Sequence, residues 1–170
     1  HDGIVAGPRG TISLVAGTNV APPRLDASSL RGIRAVASVD GLTAWAVGDG
    51  ATVLASSNGG VSWDLLSTAF PPELSRFVDF AAVAAVNDRV WVTGNPGSCV
   101  WHSRDGGASW TRQPTGHTAP IHALNFSSEE TGVAVGAFGT ILRTDDGGSS
   151  WNVCRAGQRR AAILAIHTRP

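Results

Sequence analysis

Three copies of one short pattern constrain the fold of this chain more than any other feature of its sequence. The template is a hydroxyl residue, any residue, Asp or Asn, two glycines, two further residues and Trp. Copies occupy positions 56–63, 103–110 and 144–151. The defining positions are Ser56, Asn58, Gly60 and Trp63; Ser103, Asp105, Gly107 and Trp110; and Thr144, Asp146, Gly148 and Trp151.

Each copy has the chemistry of a tight turn between two strands. An Asp or Asn side chain can accept hydrogen bonds from backbone N–H groups further along, which closes an Asx-type turn. Two glycines allow the positive φ angles that a reversal of the chain requires. A Trp that then returns to the core buries roughly 150–250 Å², and its indole N–H needs a carbonyl. We therefore interpret each copy as a structural staple of a hairpin.

The spacing of the motif tryptophans defines a repeat whose length is about that of one propeller blade. Trp63 and Trp110 are 47 residues apart, and Trp110 and Trp151 are 41 residues apart. Four short apolar strands can be distinguished within each repeat, which is the content of one propeller blade. The sequence therefore predicts an all-β fold, a β-propeller of four-stranded antiparallel blades with the motif turn between strands three and four.

Repeat boundaries predict three full blades and two partial units. The N-terminal unit resembles only the later strands of a blade, whereas the C-terminal segment Ala162–His167 aligns with Ile121–Phe126, a first strand. A split blade formed from the two chain ends would complete the fold; further polypeptide or a second copy would otherwise complete an arc. The predicted units are residues 1–30 (partial blade), 31–75, 76–120 and 121–160 (blades), and 161–170 (a first strand).

The motif resembles the Asp-box, or bacterial neuraminidase repeat, of sialidases and many other β-propellers. The longer unit 133–151 is similar to the repeat of photosystem II assembly-factor-like propeller proteins. Asn58 departs from the usual Asp of this family. The resemblance implies a non-catalytic binding or assembly module that recognises a protein or peptide, in a periplasmic, lumenal or secreted location.

Composition argues against several other classes of function. Thirteen basic and thirteen acidic residues balance to zero net charge, which offers no electrostatic case for a nucleic-acid partner. No apolar run reaches the ~20 residues of a membrane span. The chain has no Tyr, the nucleophile of sialidases. Its two cysteines lie in different repeats, and we expect two buried free thiols.

Two alternatives to a binding module stay open. One is a glycoside hydrolase or glycan-binding propeller whose remaining blades are absent, for which Asp49 and Asp79 are the candidate carboxylates. The other is a structural unit that self-associates or joins a larger assembly. The five scattered histidines predict no metal site, and we expect no cofactor and no enzymatic activity.

The resemblance also indicates where a site would lie, because relatives use the end of the ring opposite the Asp-box turns. Loops at that end carry polar and aromatic side chains, and two polar residues fall on strands that line the channel. The candidate partner-binding residues are Arg9, Asp49, Asn95, His117, Phe138, Arg155, Arg159 and Arg160. The candidate channel residues are Asp79 and His122.

Overall fold

A computed structural model describes residues 3–16, 19–21, 24–25, 31–66, 70–155 and 162–166. These residues form sixteen β-strands in four sheets, with two short 3-10 turns at Pro72–Arg76 and Ala137–Gly139. None of the helical segments in the described ranges is long and apolar enough to cross a bilayer. The predicted all-β class is confirmed.

Strand bounds follow the chain in order. They are β1 Gly3–Ala6, β2 Ile12–Ala16, β3 Asn19–Ala21, β4 Arg24–Leu25, β5 Ile33–Ser38, β6 Ala44–Gly48, β7 Thr52–Ser56, β8 Ser62–Leu65, β9 Asp79–Val86, β10 Arg89–Asn95, β11 Cys99–Ser103, β12 Thr111–Pro114, β13 Ile121–Phe126, β14 Gly132–Gly136, β15 Ile141–Thr144 and β16 Asn152–Arg155.

Three sheets are complete antiparallel blades, as predicted. Blade 1 consists of β5–β8, blade 2 of β9–β12 and blade 3 of β13–β16, each hydrogen-bonded in chain order from an inner strand outwards. The partial blade consists of β1–β3. Sequence analysis missed β4, which pairs in parallel with β8 and covers the outer edge of blade 1.

Apolar side chains pack between successive blades rather than in one central core. The layer between the partial blade and blade 1 contains Ile12, Leu54 and Trp63. Trp45, Phe80 and Val92 belong to the layer between blades 1 and 2. The layer between blades 2 and 3 is built from Trp91, Val100, Ile121, Leu124, Phe126 and Leu142. Sheets covered on both faces explain the nearly continuous apolar strands of the sequence.

A glycine at the end of each second strand allows the inner strand to approach closely. A Cβ atom at these positions would lie 1.9–2.0 Å from a backbone carbonyl oxygen, a distance that no side chain can occupy. Each carbonyl belongs to the residue just before the first paired apolar residue of the inner strand. The glycines are Gly48, Gly94 and Gly136, and the carbonyls are those of Gly32, Asp79 and Pro120.

Within the described ranges, the segments near the two ends of the chain do not pair with each other. Residues 162–166 adopt no strand, and β2 is the only strand partner of β1 among the described residues. The Ile163 N–H donates to the Gly136 carbonyl at 3.1 Å. The composite blade therefore stays a prediction.

Candidate functional site

The connections of the blades segregate to two ends of the molecule. Loops between second and third strands meet the connections between blades, as in the hydrogen bonds from Asp49 N–H to the Gly32 carbonyl and from Ala51 N–H to the Val78 carbonyl. We call this the loop end. The motif turns instead meet the turns between first and second strands, for example through Gly59 N–H and the Leu42 carbonyl. We call that the Asp-box end.

Motif side chains at the Asp-box end are engaged within their own turns. In the second copy the Gly107 N–H donates to the Ser103 hydroxyl at 2.7 Å. The Ser109 N–H and hydroxyl donate to the Asp105 carboxylate at 2.9 and 2.6 Å. The same pattern recurs around Asp146. Around Asn58 the Ser62 N–H likewise donates to the amide oxygen, but the amide N–H donates to the Ser62 hydroxyl. These bonds agree with a staple rather than a ligand site.

The hydrogen bonds of the second copy favour the ionised carboxylate. The Ser109 hydroxyl and N–H and the Ser103 hydroxyl together lower the pKa of Asp105 to about 2. The pKa of Asp146 is lowered by the equivalent bonds from Ser150. A carboxylate held in this way is a poor proton donor near neutral pH.

Motif tryptophans differ in burial more than the repeat suggests. Trp63 is 1% exposed and donates to the Gly60 carbonyl at 3.0 Å. Trp110 makes the equivalent bond to Gly107 but is only half-buried, as is Trp151. Leu25 of β4 pairs with Trp63 along the outer strand of blade 1, whereas blades 2 and 3 have no such extra strand in the described part of the chain. The expectation of a fully buried plug therefore holds for one copy of three.

Second-strand tryptophans connect neighbouring blades. The Trp45 indole N–H donates to the Gly106 carbonyl of the next motif turn at 2.9 Å. Trp91 makes the same bond to Gly147, also at 2.9 Å. The motif turns of blades 2 and 3 thus each receive an indole from the preceding blade. Sequence analysis missed this contact because neither Trp45 nor Trp91 lies in the motif.

Ile4 occupies the second-strand position of the partial blade, where the complete blades 1 and 2 carry tryptophan. A cavity of about 720 Å³ lies beside it, lined also by Leu14, Val36 and Gly59. We expect Ile4→Trp to raise the free energy of unfolding by about 1 kcal/mol, because the indole would fill space and donate to the Gly59 carbonyl. Urea denaturation measures this change. Val5→Trp, on the exposed face of the same strand, is the control and should give no gain.

Turns at the loop end hold three non-glycine residues in a left-handed conformation, of which Ala51 is buried and the other two are exposed. Arg9 has φ 58° and Phe138 has φ 56°, and each precedes a glycine that also has positive φ. The equivalent position in blade 1 is Gly50, with φ 62°. Such angles are unfavourable for residues with a Cβ atom. Both side chains are exposed, Phe138 by 57%.

Asp49 and Asp79, both predicted, are brought together by an arginine that sequence analysis missed. Arg34 donates to Asp49 at 2.5 Å and to Asp79 at 3.2 Å. Asp79 also accepts the Gly50 N–H at 2.8 Å. Arg34 lies at a bulge where the pairing of β5 shifts register after Ile33, and no sequence periodicity marks that extra residue.

This ion cluster joins blades 1 and 2 at the loop end. Its side chains are 39–46% exposed, so each ion pair contributes only about 0–1 kcal/mol to stability. Both carboxylates share one guanidinium, and neither is held in an apolar pocket of the kind that prepares a general acid. The cluster therefore pairs charges across the junction of blades 1 and 2 at the loop end.

The remaining predicted residues are spread over the loop end. His117 is held in the connection between blades 2 and 3, because its Nδ1 accepts the Ala119 N–H at 3.0 Å and its carbonyl accepts the Ser98 hydroxyl. Arg155 is exposed opposite Ile141, at the loop end of blade 3.

Asn95 and His122 are half-buried at the ends of β10 and β13. Arg159 and Arg160 lie outside the described residues. The structure therefore joins Asp49 to Asp79, and among the described residues no hydrogen bond or ion pair joins the other predicted residues to one another.

The cysteines are free but not buried as expected. Cys99 is half-buried and accepts the Arg112 Nε–H at 3.0 Å, whereas Cys154 is exposed on the outer strand of blade 3. Within the described ranges no three His, Cys, Asp or Glu side chains are grouped closely enough to hold a metal ion.

Several known proteins are similar to this chain in sequence or in structure. The "Photosystem II assembly lipoprotein Ycf48" of Synechococcus sp. (strain CC9902) is 33% identical over 111 residues, which is 62% of this chain and 31% of that protein. The solved structure "YCF48 bound to D1 peptide" is similar with a TM-score of 0.65 and 24% identity, over 72% of this chain and 40% of that one.

Two further solved structures extend this comparison. YCF48 from Cyanidioschyzon merolae has a TM-score of 0.64 at 22% identity, over 78% of this chain and 41% of that one. An ancestral GH74 enzyme has a TM-score of 0.55 at 14% identity, over 88% of this chain and 23% of the enzyme, which shows the fold alone. The chain thus spans about a third of the length of its curated relative.

The family described as "Photosynthesis system II assembly factor YCF48" matches residues 27–120, more than half of the chain. That range contains blades 1 and 2 with two of the three motif turns. The chain therefore belongs to the Ycf48-type family of photosystem II assembly factors with bacterial neuraminidase repeats.

Proposed function

We propose that this chain is a non-catalytic propeller module that binds a protein or peptide at its loop end. The observation that carries the proposal is the exposure of Arg9 and Phe138 in left-handed turns. Glycine would be less strained at both positions, as Gly50 illustrates in blade 1. Neither side chain is buried in the core. A role in partner binding would explain why these two strained positions carry Arg and Phe rather than glycine.

The chemistry of this end suits an acidic or aromatic segment of a peptide. Arg9 and Arg155 offer exposed guanidinium groups for carboxylates. Phe138 offers an exposed ring, and aromatic and arginine side chains are the usual anchors of binding interfaces. We retain Arg159 and Arg160, together with Asn95 and His117, as proposed members of this surface.

A segment of the photosystem II D1 protein is the first partner to test. A relative that shares this fold was solved with a D1 peptide, and the family includes a curated photosystem II assembly lipoprotein. The chain covers only 40% of that solved relative, so the binding experiment must use this chain itself.

Replacing the two strained residues with glycine separates binding from folding. We expect Phe138→Gly and Arg9→Gly each to weaken binding of a labelled D1 peptide about tenfold, or about 1.4 kcal/mol. Thermal stability should stay equal or rise, because the positive φ no longer opposes a Cβ atom. Fluorescence anisotropy over an overlapping D1 peptide set, with melting curves of each variant, measures both quantities.

Leu42→Ser is the matched control, because Leu42 is 60% exposed at the opposite, Asp-box end. It should leave peptide binding unchanged. Binding that survives both glycine substitutions, or is lost with Leu42→Ser, would contradict a binding surface at the loop end.

A further inference from the structure

A polar cavity of about 250 Å³ lies beside the motif turn of blade 2, next to blade 3. Two of the side chains that line it are buried, those of His102 and Gln113. The other three, Arg104, Ser109 and Thr111, are exposed. We call this the His102 cavity. Its described lining contains one guanidinium group and no carboxylate.

The imidazole of His102 is held in one orientation and one tautomer. Its ring stacks on Trp91 at a centroid distance of 4.8 Å, with 4° between the ring planes. The Gln113 amide nitrogen donates to the Gly147 carbonyl at 3.4 Å and lies 3.3 Å from His102 Nδ1. Because an amide nitrogen can only donate, Nδ1 is an acceptor, and the neutral imidazole carries its proton on Nε2.

The Nε2–H of His102 is a buried donor that lacks an acceptor. The side chain is 4% exposed, and Nε2 has no hydrogen-bond partner among the described residues. Buried polar groups are nearly always hydrogen-bonded, so an orphaned donor requires an explanation. An acceptor atom bound in the cavity that the imidazole lines would satisfy it.

Arg104 brings an unpaired positive charge to the same cavity. It makes no hydrogen bond or ion pair with any described residue, whereas Arg89 is paired with Glu129 at 2.8 Å. The Thr111 hydroxyl also has no partner in the described part of the chain. Burial and the charges of Arg104 and Arg89 lower the pKa of His102 to about 4. The same positive charges attract an anion.

The other complete blades do not repeat this set of side chains. Leu66 of blade 1 packs against Gly107, and Gln113 packs against Gly148 in the same way, so an amide replaces an aliphatic side chain at the next junction. Folding alone does not require this polarity. The positions of His102, Arg104 and Gln113 are occupied by Ala55, Ser57 and Leu66 in blade 1 and by Arg143, Asp145 and Cys154 in blade 3.

We propose that the His102 cavity binds a phosphate group with three free oxygens, either inorganic phosphate or the phosphomonoester headgroup of a lipid. One oxygen accepts the Nε2–H of His102, and the others accept the Arg104 guanidinium and the Thr111 hydroxyl. A tetrahedral anion offers an oxygen to each donor, whereas a carboxylate has only two. The cavity adjoins a motif turn, at the end of the molecule opposite the proposed peptide surface.

Long-range ¹H–¹⁵N NMR of the labelled 170-residue chain at pH 7 tests the site directly. Titration with inorganic phosphate at constant ionic strength should give a saturable change in the chemical shift of His102 Nε2. We expect Arg104→Ala to weaken this binding at least about tenfold, because it removes the only guanidinium group among the described lining residues. Arg104 is exposed, so melting curves should show no loss of stability.

Arg112→Ala is the matched control for net charge. Arg112 is also exposed and also in blade 2, but its Nε–H donates to Cys99, and the side chain does not line the His102 cavity. Phosphate binding should be unchanged in this variant. The absence of a saturable shift at about 50 mM phosphate, or equal weakening by Arg104→Ala and Arg112→Ala, overturns the proposal.

Vesicle sedimentation distinguishes the two sources of the phosphate group. The wild-type chain and Arg104→Ala are each mixed with phosphatidylcholine vesicles that contain phosphatidic acid, a lipid with a phosphomonoester headgroup. Sedimentation of the wild type that is lost in Arg104→Ala identifies a headgroup. Absence of sedimentation, together with an NMR shift that depends on Arg104, identifies the free ion. Sedimentation and NMR shifts that both persist in Arg104→Ala contradict the assignment to this cavity.

Discussion

Trp91→Ala is expected to lower the free energy of unfolding by about 4 kcal/mol, the largest effect of any single substitution considered for this chain. Trp91 is fully buried between blades 2 and 3. Its ring stacks on Phe126 at a centroid distance of 3.7 Å and on His102 at 4.8 Å. Alanine would remove both ring contacts and leave the Gly147 carbonyl without its indole donor.

Urea denaturation of two further variants divides this effect into its parts. Trp91→Phe keeps an aromatic ring between Phe126 and His102 but loses the hydrogen bond to Gly147, and should cost about 1–2 kcal/mol. Trp101→Ala is the comparison for a half-buried tryptophan and should cost less than Trp91→Ala. A loss below about 1.5 kcal/mol for Trp91→Ala would show that this indole does not hold blades 2 and 3 together.

The second large effect is a loss of stability as the pH falls from 7 to 4, caused by His102. This side chain is 4% exposed, and its burial, with the nearby charges of Arg104 and Arg89, lowers its pKa from 6.5 to about 4. Between these two values the unfolded chain binds a proton that the folded chain does not. Stability is therefore complete above about pH 6.5 and is lost as the pH falls towards 4, by roughly 2–3 kcal/mol.

His102→Phe isolates this contribution. Phenylalanine preserves a ring stacked on Trp91 and removes the titrating group. Urea denaturation at intervals from pH 7 to pH 4 should show a shallower decline for the variant than for the wild type. Parallel pH profiles for the two proteins would refute the assignment to His102.

Local chemistry explains which parts of the fold were accessible from the sequence. The motif turns were predicted because Asp146 and its neighbours hydrogen-bond within seven residues, and local bonds leave local patterns. The indole bond between Trp91 and Gly147 spans 56 residues and therefore leaves no local pattern in the sequence. The parallel strand β4 was also missed, because a strand of two residues is too short to show a periodic pattern in the sequence.

A bulge explains one error of site assignment. Inner strands β5 and β13 each contain an extra residue after the first, Arg34 and His122. A bulge changes which residues face one another without changing composition. The bulge in β5 places Arg34 between Asp49 and Asp79, which a search of the loops alone overlooked.

Each motif turn of blades 2 and 3 offers its neighbour a backbone carbonyl rather than a side chain, and this has an evolutionary consequence. A backbone oxygen is present whatever residues the turn acquires, so a duplicated blade can dock as soon as its neighbour carries a tryptophan like Trp45 or Trp91. Copy number can then change by whole blades without redesign of any junction, because contacts are confined to nearest neighbours. The side chain of Ile4 cannot donate a hydrogen bond, so the junction between the partial blade and blade 1 lacks this contact.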